Sequence, residues 1–144
     1  MSGQPITIRN LGPEDAHILD RVADGVFDTS VDPTRTFGFL ATRVNDLVVA
    51  LHSGTVVGFA SGTVLLQPDQ ATAFLIQKVR VAEDFRRMGI ATRLLNRLND
   101  LARDRGCEDI WLATTSKNEP ARGLFKKLGS RETTDLVIYS FDDA

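Results

Sequence analysis

The sequence has little cysteine, no long apolar run and almost no net charge. Its 144 residues contain one cysteine, Cys107, which excludes a disulfide within the chain and favours a reducing compartment. No apolar run is long enough to cross a bilayer, and residues 1–5 lack the pattern of a signal peptide. The net charge of −2 argues against general affinity for nucleic acid. We therefore expect a cytoplasmic protein with neither a membrane nor a nucleic-acid partner.

The composition is that of an ordinary globular protein. Hydrophobic residues make up 42% of the chain and charged residues 25%. A chain of this length can bury a core without crosslinks, so we predict a single domain over residues 1–144 with Cys107 in its core. The sequence has no metal-ligand cluster, so no metal is expected.

The sequence pattern changes from strand to helix within residues 79–92. Val79 and Val81 end an alternating run, and from Ile90 apolar residues recur on one helical face. The turn between them contains two arginines and Gly89. Unpaired N–H groups and the dipole at a helix start attract anions, and glycine lets a ligand approach the backbone closely. The turn thus indicates a pyrophosphate site, although an ordinary turn with two solvated arginines explains the same residues.

Periodicity over the rest of the chain predicts the order β-α-α-β-β-β-α-β-α-β. The first two helices begin near Pro13 and Asp32, and the second has Phe37 and Leu40 turned inward. The predicted strands are residues 6–9, 47–51, 55–66, 73–81, 110–113 (buried, with Trp111) and 137–141, which closes the sheet. Gly58 and Gly62 within the third strand indicate a bulge or a close backbone approach.

Two segments, in this order, resemble the motifs of one enzyme family. Arg-x-x-Gly-x-Ala at residues 86–91, after a Val-x-Val strand, resembles the acyl-CoA-binding motif of the GNAT family of N-acetyltransferases. Residues 118–129 resemble that family's Asn-x-x-Ala-x-x-Leu-Tyr-x-x-Leu-Gly signature. Over the whole chain, features such as Phe27-Asp28 and the Tyr-x-Phe-Asp ending resemble the small aminoglycoside 3-N-acetyltransferase branch.

The resemblance implies an α/β (α+β) fold with a mixed, mostly antiparallel sheet, a splayed central strand pair and helices on both faces. It also implies a homodimer that uses acetyl-CoA as cosubstrate. The residues that it assigns to acetyl-CoA are Val79, Arg80, Val81, Arg86, Arg87, Met88, Gly89, Ile90, Ala91, Thr92, Asn118 and Phe125. The backbone N–H of Val79 is expected to polarise the thioester carbonyl. Core packing for the valines, and a helix cap for Asn118, are the simpler interpretations.

The sequence departs from the family pattern at two positions that bear on proton transfer. Phe125 stands where the family has the tyrosine proposed as the acid, and Lys78 stands where related enzymes have a carboxylate. Lys78 is a candidate for lowering the pKa of a nearby acceptor amine by like-charge repulsion, although a surface lysine is an equally good interpretation. Tyr139 is a candidate substitute hydroxyl, but nothing in the sequence links it to the thiol.

Acidic residues surround the loop between the first two helices, which borders the acceptor site in the family. Asp24, Asp28 and Asp32 there, with Asp142 and Asp143 in the tail, would suit a polycationic amine. A solvated loop and a frayed tail explain the same residues. Phe27 is either a wall of the acceptor site or a core residue.

The sequence therefore predicts an acetyl-CoA-dependent N-acetyltransferase. It would act on a primary amine of a small molecule, with aminoglycoside-like polycations as the leading class. The alternative is an acyl-CoA-binding sensor or regulatory module with little or no turnover, which the departures at Lys78 and Phe125 keep open.

Overall fold

A five-stranded sheet forms the frame of the N-terminal part of the chain. In the computed structural model, which describes residues 5–141, its strands follow one another in space in chain order. They are β1 Ile6–Asn10, β2 Asn45–His52, β3 Thr55–Leu65, β4 Ala73–Val81 and β5 Asp109–Leu112. The first three pairings are antiparallel and β4–β5 is parallel, which confirms the predicted mixed, mostly antiparallel sheet.

The helices begin and end at residues that the sequence marks. Helix α1, Pro33–Ala41, starts at Asp32, whose Oδ1 accepts a hydrogen bond from the N–H of Arg35 at 3.1 Å. Helix α2, Ile90–Asp104, is followed by Gly106 in the left-handed conformation with φ 83°. Helix α3, Glu119–Lys127, starts at Asn118.

Helix α2 and the segment before α1 contact opposite faces of the sheet. The buried stripe of α2 packs on the face that contains Gly58, because a Cβ built on Gly58 would lie 3.3 Å from Leu94 Cδ1. The next residue, Phe59, points to the other face, where its ring stacks on Phe27. The buried stripe consists of Ile90, Leu94, Leu95, Leu98 and Ala102.

The chain divides into two compact units, Met1–Ala113 and Thr114–Ala144. The first contains the sheet, α1, α2 and a 3-10 helix, Pro13–Asp20. The second contains α3, with the loop before it and an irregular segment after it.

A β-bulge interrupts the β3–β4 pairing, as the glycines in β3 indicated. The register shifts between Ser61, which lies opposite Lys78, and Gly62, which lies opposite Ile76, so that Gln77 is the extra residue. At Gly62 the ring of Phe74 lies against the backbone: a Cβ there would be 2.2 Å from Phe74 Cε2. Gly62 therefore makes room for a fully buried aromatic ring.

The structure corrects the predicted last strand. Residues 137–141 are irregular, and their apolar side chains are exposed, from 70% at Val137 to 99% at Phe141. Alternating apolar residues favour an extended backbone, but a strand also needs a partner for its hydrogen bonds, and the sequence does not supply that information.

Three smaller predictions were also wrong. The segment from Pro13 forms a 3-10 helix instead of an α-helix, because both types place residues i and i+3 on one face over so short a length. Phe37 is 59% exposed, since Thr36 and Leu40 form the buried face of α1. Trp111 is 48% exposed because β5 is an edge strand whose residues alternate between exposed and half-buried.

Replacing Gly62 by alanine should destabilise the fold by about 1–3 kcal/mol, because the added methyl group overlaps the buried Phe74 ring. Gly38→Ala is the matched control. Gly38 lies within α1 and has no atom within 4 Å of a built Cβ, so alanine there should stabilise by about 0.5–1 kcal/mol. Urea unfolding of both variants measures the difference, and equal effects would contradict the close contact at Gly62.

Candidate functional site

Strand β4 is paired on both sides over only half of its length. Apart from the bulged Gln77, it pairs with β3 from Ala73 to Val81. It pairs with β5 only from Ala73 to Ile76. Within the described residues, no strand lies against the β5 side of residues 77–81. The pairing of β4 with β5 therefore ends about halfway along β4.

The unpaired side of β4 exposes the backbone of Val79 and Val81. The N–H of Ala82, just beyond the strand, donates to Val57 O at 2.8 Å, so Ala82 faces β3. Because successive residues of a strand direct their backbone groups to alternate sides, Val81 and Val79 face away from β3. The carbonyl of Val81 accepts a hydrogen bond from Arg86 Nε at 3.0 Å, which agrees with this direction. The N–H and C=O of Val79 are left facing the open side.

The turn after β4 leads directly to the start of α2. Its backbone is left-handed at Arg87, with φ 64°, and at Gly89, with φ 77°. The first hydrogen bond into the helix runs from the N–H of Arg93 to Gly89 O at 3.1 Å. In the part of the chain that the structure describes, the N–H groups of residues 90–92 therefore have no acceptor. A Cβ built on Gly89 would meet no atom within 4 Å, so the space beside this residue is open.

Arg86, one of the two arginines in the predicted pyrophosphate site, has a structural role as well. Its hydrogen bond to Val81 O ties the turn back to the end of β4. Arg87 and Met88 are exposed. The open backbone edge at the end of β4 is thus followed, after one turn, by the N–H groups at the start of α2.

The predicted acceptor residues Phe27 and Asp28 lie on the face of the sheet opposite α2. The ring of Phe27 stacks on Phe59 with centroids 4.2 Å apart and planes 21° apart. The carboxylate of Asp28 accepts a hydrogen bond from Lys78 Nζ at 3.0 Å and another from Arg80. The guanidinium of Arg80, followed by the ammonium of Lys78, lowers the pKa of Asp28.

The other acidic residues of the predicted acceptor site have different places. Asp32 caps α1, and Asp24 is exposed. Asp142 and Asp143 lie outside the described residues. Among these acidic residues of the described chain, Asp28 is the one with two cationic partners. The sequence had indicated that its carboxylate would be available to an acceptor.

No local pattern in the sequence indicates this cluster. Asp28 is 50 residues from Lys78 and 52 from Arg80, so no helical or strand spacing connects them. Only the sheet register identifies the cluster: Lys78 lies opposite Ser61 and Arg80 opposite Phe59, which places all four side chains on one face.

The C-terminal unit contains the remaining predicted site residues. Asn118 Oδ1 accepts from the N–H of Ala121 at 3.2 Å, which confirms the helix cap, and its Nδ2 donates to Thr114 Oγ1. Phe125 is half-buried on α3, and Tyr139 is 81% exposed.

An ion pair that the sequence did not reveal braces the loop before α3. Arg122 donates to both carboxylate oxygens of Glu132 and to Ser116 O. The pKa of Glu132 is lowered, chiefly by the hydrogen bond from Arg122.

Two features are absent from the described residues, 5–141. No helix there is long and apolar enough to cross a membrane. No group of three or more histidine, cysteine or acidic side chains there is arranged to hold a metal ion.

The sequence matches the model of the acetyltransferase (GNAT) family over residues 17–130. The chain belongs to this family. The probable N-acetyltransferase camello of Xenopus tropicalis is 33% identical over 94 residues, which are 64% of this chain and 41% of that protein. The [ribosomal protein bS18]-alanine N-acetyltransferase of Escherichia coli K12 is 34% identical over 83 residues, or 58% and 53% of the two chains. The chain thus spans about half the length of these relatives.

Solved GNAT structures share the fold. An aminoglycoside acetyltransferase from an uncultured soil metagenomic sample, in complex with sisomicin, has a TM-score of 0.83 and 20% identity, and the match covers 96% of this chain and 97% of that one. The aminoglycoside N-acetyltransferase AAC(6')-Iy, in complex with CoA, has a TM-score of 0.78 at 18% identity, with 97% of each chain covered. The agreement extends over nearly the whole of both chains.

The carboxyl group of Asp28 should titrate below its ordinary pKa of 3.8, because its charged form accepts hydrogen bonds from two cations. A carboxyl whose pKa is lower in the folded than in the unfolded chain stabilises the fold fully above the unfolded value. This contribution is lost as the pH falls through the lowered folded value.

Carboxyl carbon chemical shifts, followed by NMR from pH 7 to pH 2, measure this midpoint. In the double variant Lys78→Met/Arg80→Met the midpoint should move upward. A wild-type midpoint at or above 3.8 would contradict the two ion pairs.

Proposed function

We propose that the protein is an acetyl-CoA-dependent N-acetyltransferase that acetylates a primary amine of a small molecule. The observation that carries the proposal is the unpaired backbone edge of β4 at Val79 and Val81, which continues into the open N-terminus of α2. Membership of the acetyltransferase family and the CoA complex of a protein with the same fold support it.

The chemistry of these groups fits acetyl-CoA. The pantetheine arm contains amides that can pair with the free edge of a strand, as a neighbouring strand would. The pyrophosphate accepts hydrogen bonds, which the N–H groups of residues 90–92 can donate. The left-handed Gly89 keeps the approach free of a side chain.

Acetyl-CoA supplies an acetyl group activated as a thioester. In our proposal the N–H of Val79 donates to the carbonyl oxygen of that group and stabilises the negative charge that develops there when the amine attacks. The arm lies along β4, and Arg86 holds the turn against the strand end. The new C–N bond replaces the C–S bond, the amine gives up one proton, and the products are the acetylated amine and free CoA. The departing sulfur takes up a proton that the ring of Phe125 cannot provide.

For the acceptor, polycations such as aminoglycosides are the first class to test. Proteins that share this fold are aminoglycoside acetyltransferases, and one of them was crystallised with sisomicin. The alternative, an acyl-CoA-binding sensor, predicts binding without turnover. Release of free thiol from acetyl-CoA, measured against a panel of amines that includes sisomicin, separates the two functions.

Gly89→Asp should reduce acetyl-CoA binding at least tenfold, because the new carboxylate faces the pyrophosphate site and repels it. Gly106→Asp is the matched control, since Gly106 lies beyond the other end of α2 with φ 83° and equally open surroundings. Both variants place a non-glycine residue at a left-handed position, but only Gly89→Asp adds a negative charge at the proposed pyrophosphate site. Isothermal titration calorimetry with acetyl-CoA compares the two variants. Equal affinities would refute pyrophosphate binding at the turn around Gly89.

Phe125→Tyr should raise kcat if loss of the thiolate limits turnover, because the added hydroxyl can donate a proton. The upper limit is the factor of about 10²–10⁴ that a well-placed general acid contributes, and we expect far less because the site was not shaped for the hydroxyl. The Michaelis constant for acetyl-CoA should change little. Phe125→Leu, which offers no hydroxyl, is the control. A folded tyrosine variant with unchanged kcat would show that proton delivery at this position is not limiting.

A further inference from the structure

Residues 24–31, which we call the acceptor loop, have few backbone contacts of their own. Just before the loop, the N–H of Ala23 donates to Val56 O at 2.9 Å, and just after it Asp32 caps α1. Among the described residues, the one backbone hydrogen bond made from within the loop is a long one, from the N–H of Val26 to Ala23 O at 3.4 Å. Side chains must therefore determine where the middle of the loop lies.

Three consecutive side chains of the loop supply this anchoring. Val26 is completely buried, and Phe27 stacks on the buried Phe59. Asp28 then accepts one hydrogen bond on each carboxylate oxygen, Oδ1 from Arg80 and Oδ2 from Lys78. Lys78 and Arg80 lie two residues apart on β4. Bonds to both of them restrain the carboxylate from shifting along the strand as well as from moving away from it.

The position of this cluster on β4 relates it to the proposed reaction. Lys78 and Arg80 flank Val79, whose backbone N–H is the proposed donor to the thioester carbonyl. A loop held over these two side chains is thus held beside the residue at which acetyl transfer is proposed to occur.

The charges argue against a direct role for Lys78 on an acceptor amine. The ammonium of Lys78 lies 3.0 Å from a carboxylate oxygen, so its repulsion of a nearby cation is offset by the attraction of Asp28. Asp28 in turn already has two cationic partners, and an acceptor ammonium would have to compete with both.

We propose that Asp28, Lys78 and Arg80 are positioning residues, which together hold the acceptor loop over β4 beside Val79. This inference rests on the proposed function for its consequence in catalysis, but the geometry of the loop can be tested without it. Lys78 then acts through Asp28 and does not tune the pKa of the acceptor amine.

The first test is hydrogen–deuterium exchange of the free protein. Asp28→Asn, and separately Lys78→Met/Arg80→Met, should speed exchange of the Val26 amide, which donates the backbone hydrogen bond of the loop, and leave α2 unchanged. Because exposed ion pairs are weak, we expect an increase of about fivefold or less for each pair lost. Asp100→Asn is the matched control, since Asp100 forms an exposed ion pair with Arg103 on α2. Exchange in the loop that is the same in Asp28→Asn and Asp100→Asn would overturn the proposal.

The second test is steady-state kinetics with the best amine from the thiol-release panel. Lys78→Met should raise the Michaelis constant for the amine, and Asp28→Asn should raise it further because it removes both ion pairs. Neither variant should change the Michaelis constant for acetyl-CoA. Their double variant should be no worse than Asp28→Asn alone, because both changes remove the same contact. Lys78→Arg, which keeps the charge, should restore most of the loss.

The pH profile separates positioning from direct catalysis. A positioning role predicts the same pH dependence of kcat/KM in wild type and in Lys78→Met. If Lys78→Met alone shifted that profile, Lys78 would act on the amine and the proposal would be overturned. Should no amine on the panel be acetylated, the proposed function fails, whereas hydrogen exchange still decides whether the three residues hold the loop.

Discussion

The unequal pairing of β4 is the constraint on which the rest of this structure depends. The strand is bound to β3 throughout, apart from one bulged residue, and to β5 over four residues. A backbone edge that lies within a sheet but has no partner is costly unless water or a ligand satisfies it. Here the open edge belongs to Val79 and Val81, and the turn that follows joins it to the unsatisfied N–H groups of α2.

The bulge at Gln77 lies where the two halves of β4 meet. A bulge adds one residue to one strand, increases the local twist and bends the strand that carries it. The half before the bulge pairs with β5, and the half after it does not. Gly62 lies opposite the first half and accommodates the Phe74 ring, so the core is closely packed next to the point at which the strands separate.

Helix α2 supplies the second part of the candidate site. Its five buried residues fix it against β2, β3 and β4, and Gly89 and Arg87 allow the tight turn that begins it. The energy that holds the helix comes from the apolar stripe, while the groups that would meet a ligand are backbone groups at its first turn. Ile90 belongs to both sets, since its side chain is buried in the stripe and its N–H is one of the groups that a ligand would meet.

The ion pairs of Asp28, on the face of the sheet opposite α2, fix the position of this side chain more than they stabilise the fold. Lys78 and Asp28 are about half exposed, and exposed ion pairs contribute little free energy. The cluster nevertheless directs Asp28 to one place on the strand, next to the stacked rings of Phe27 and Phe59. The loop is therefore less acidic than its sequence indicates, because the charge of one of its carboxylates is compensated within the protein.

The sequence by itself determined the strand-to-helix turn at Gly89, the amphipathic stripe of α2, the caps at Asp32 and Asn118 and most of the sheet. Each of these follows from neighbouring residues, whose spacing and backbone preferences are local properties. The tertiary structure alone decided that Phe37 and Trp111 are exposed, that residues 137–141 are irregular, and that Asp28 meets Lys78 and Arg80. These outcomes depend on which distant segment comes to lie against a residue, and neither local spacing nor the propensity of a single segment encodes that choice.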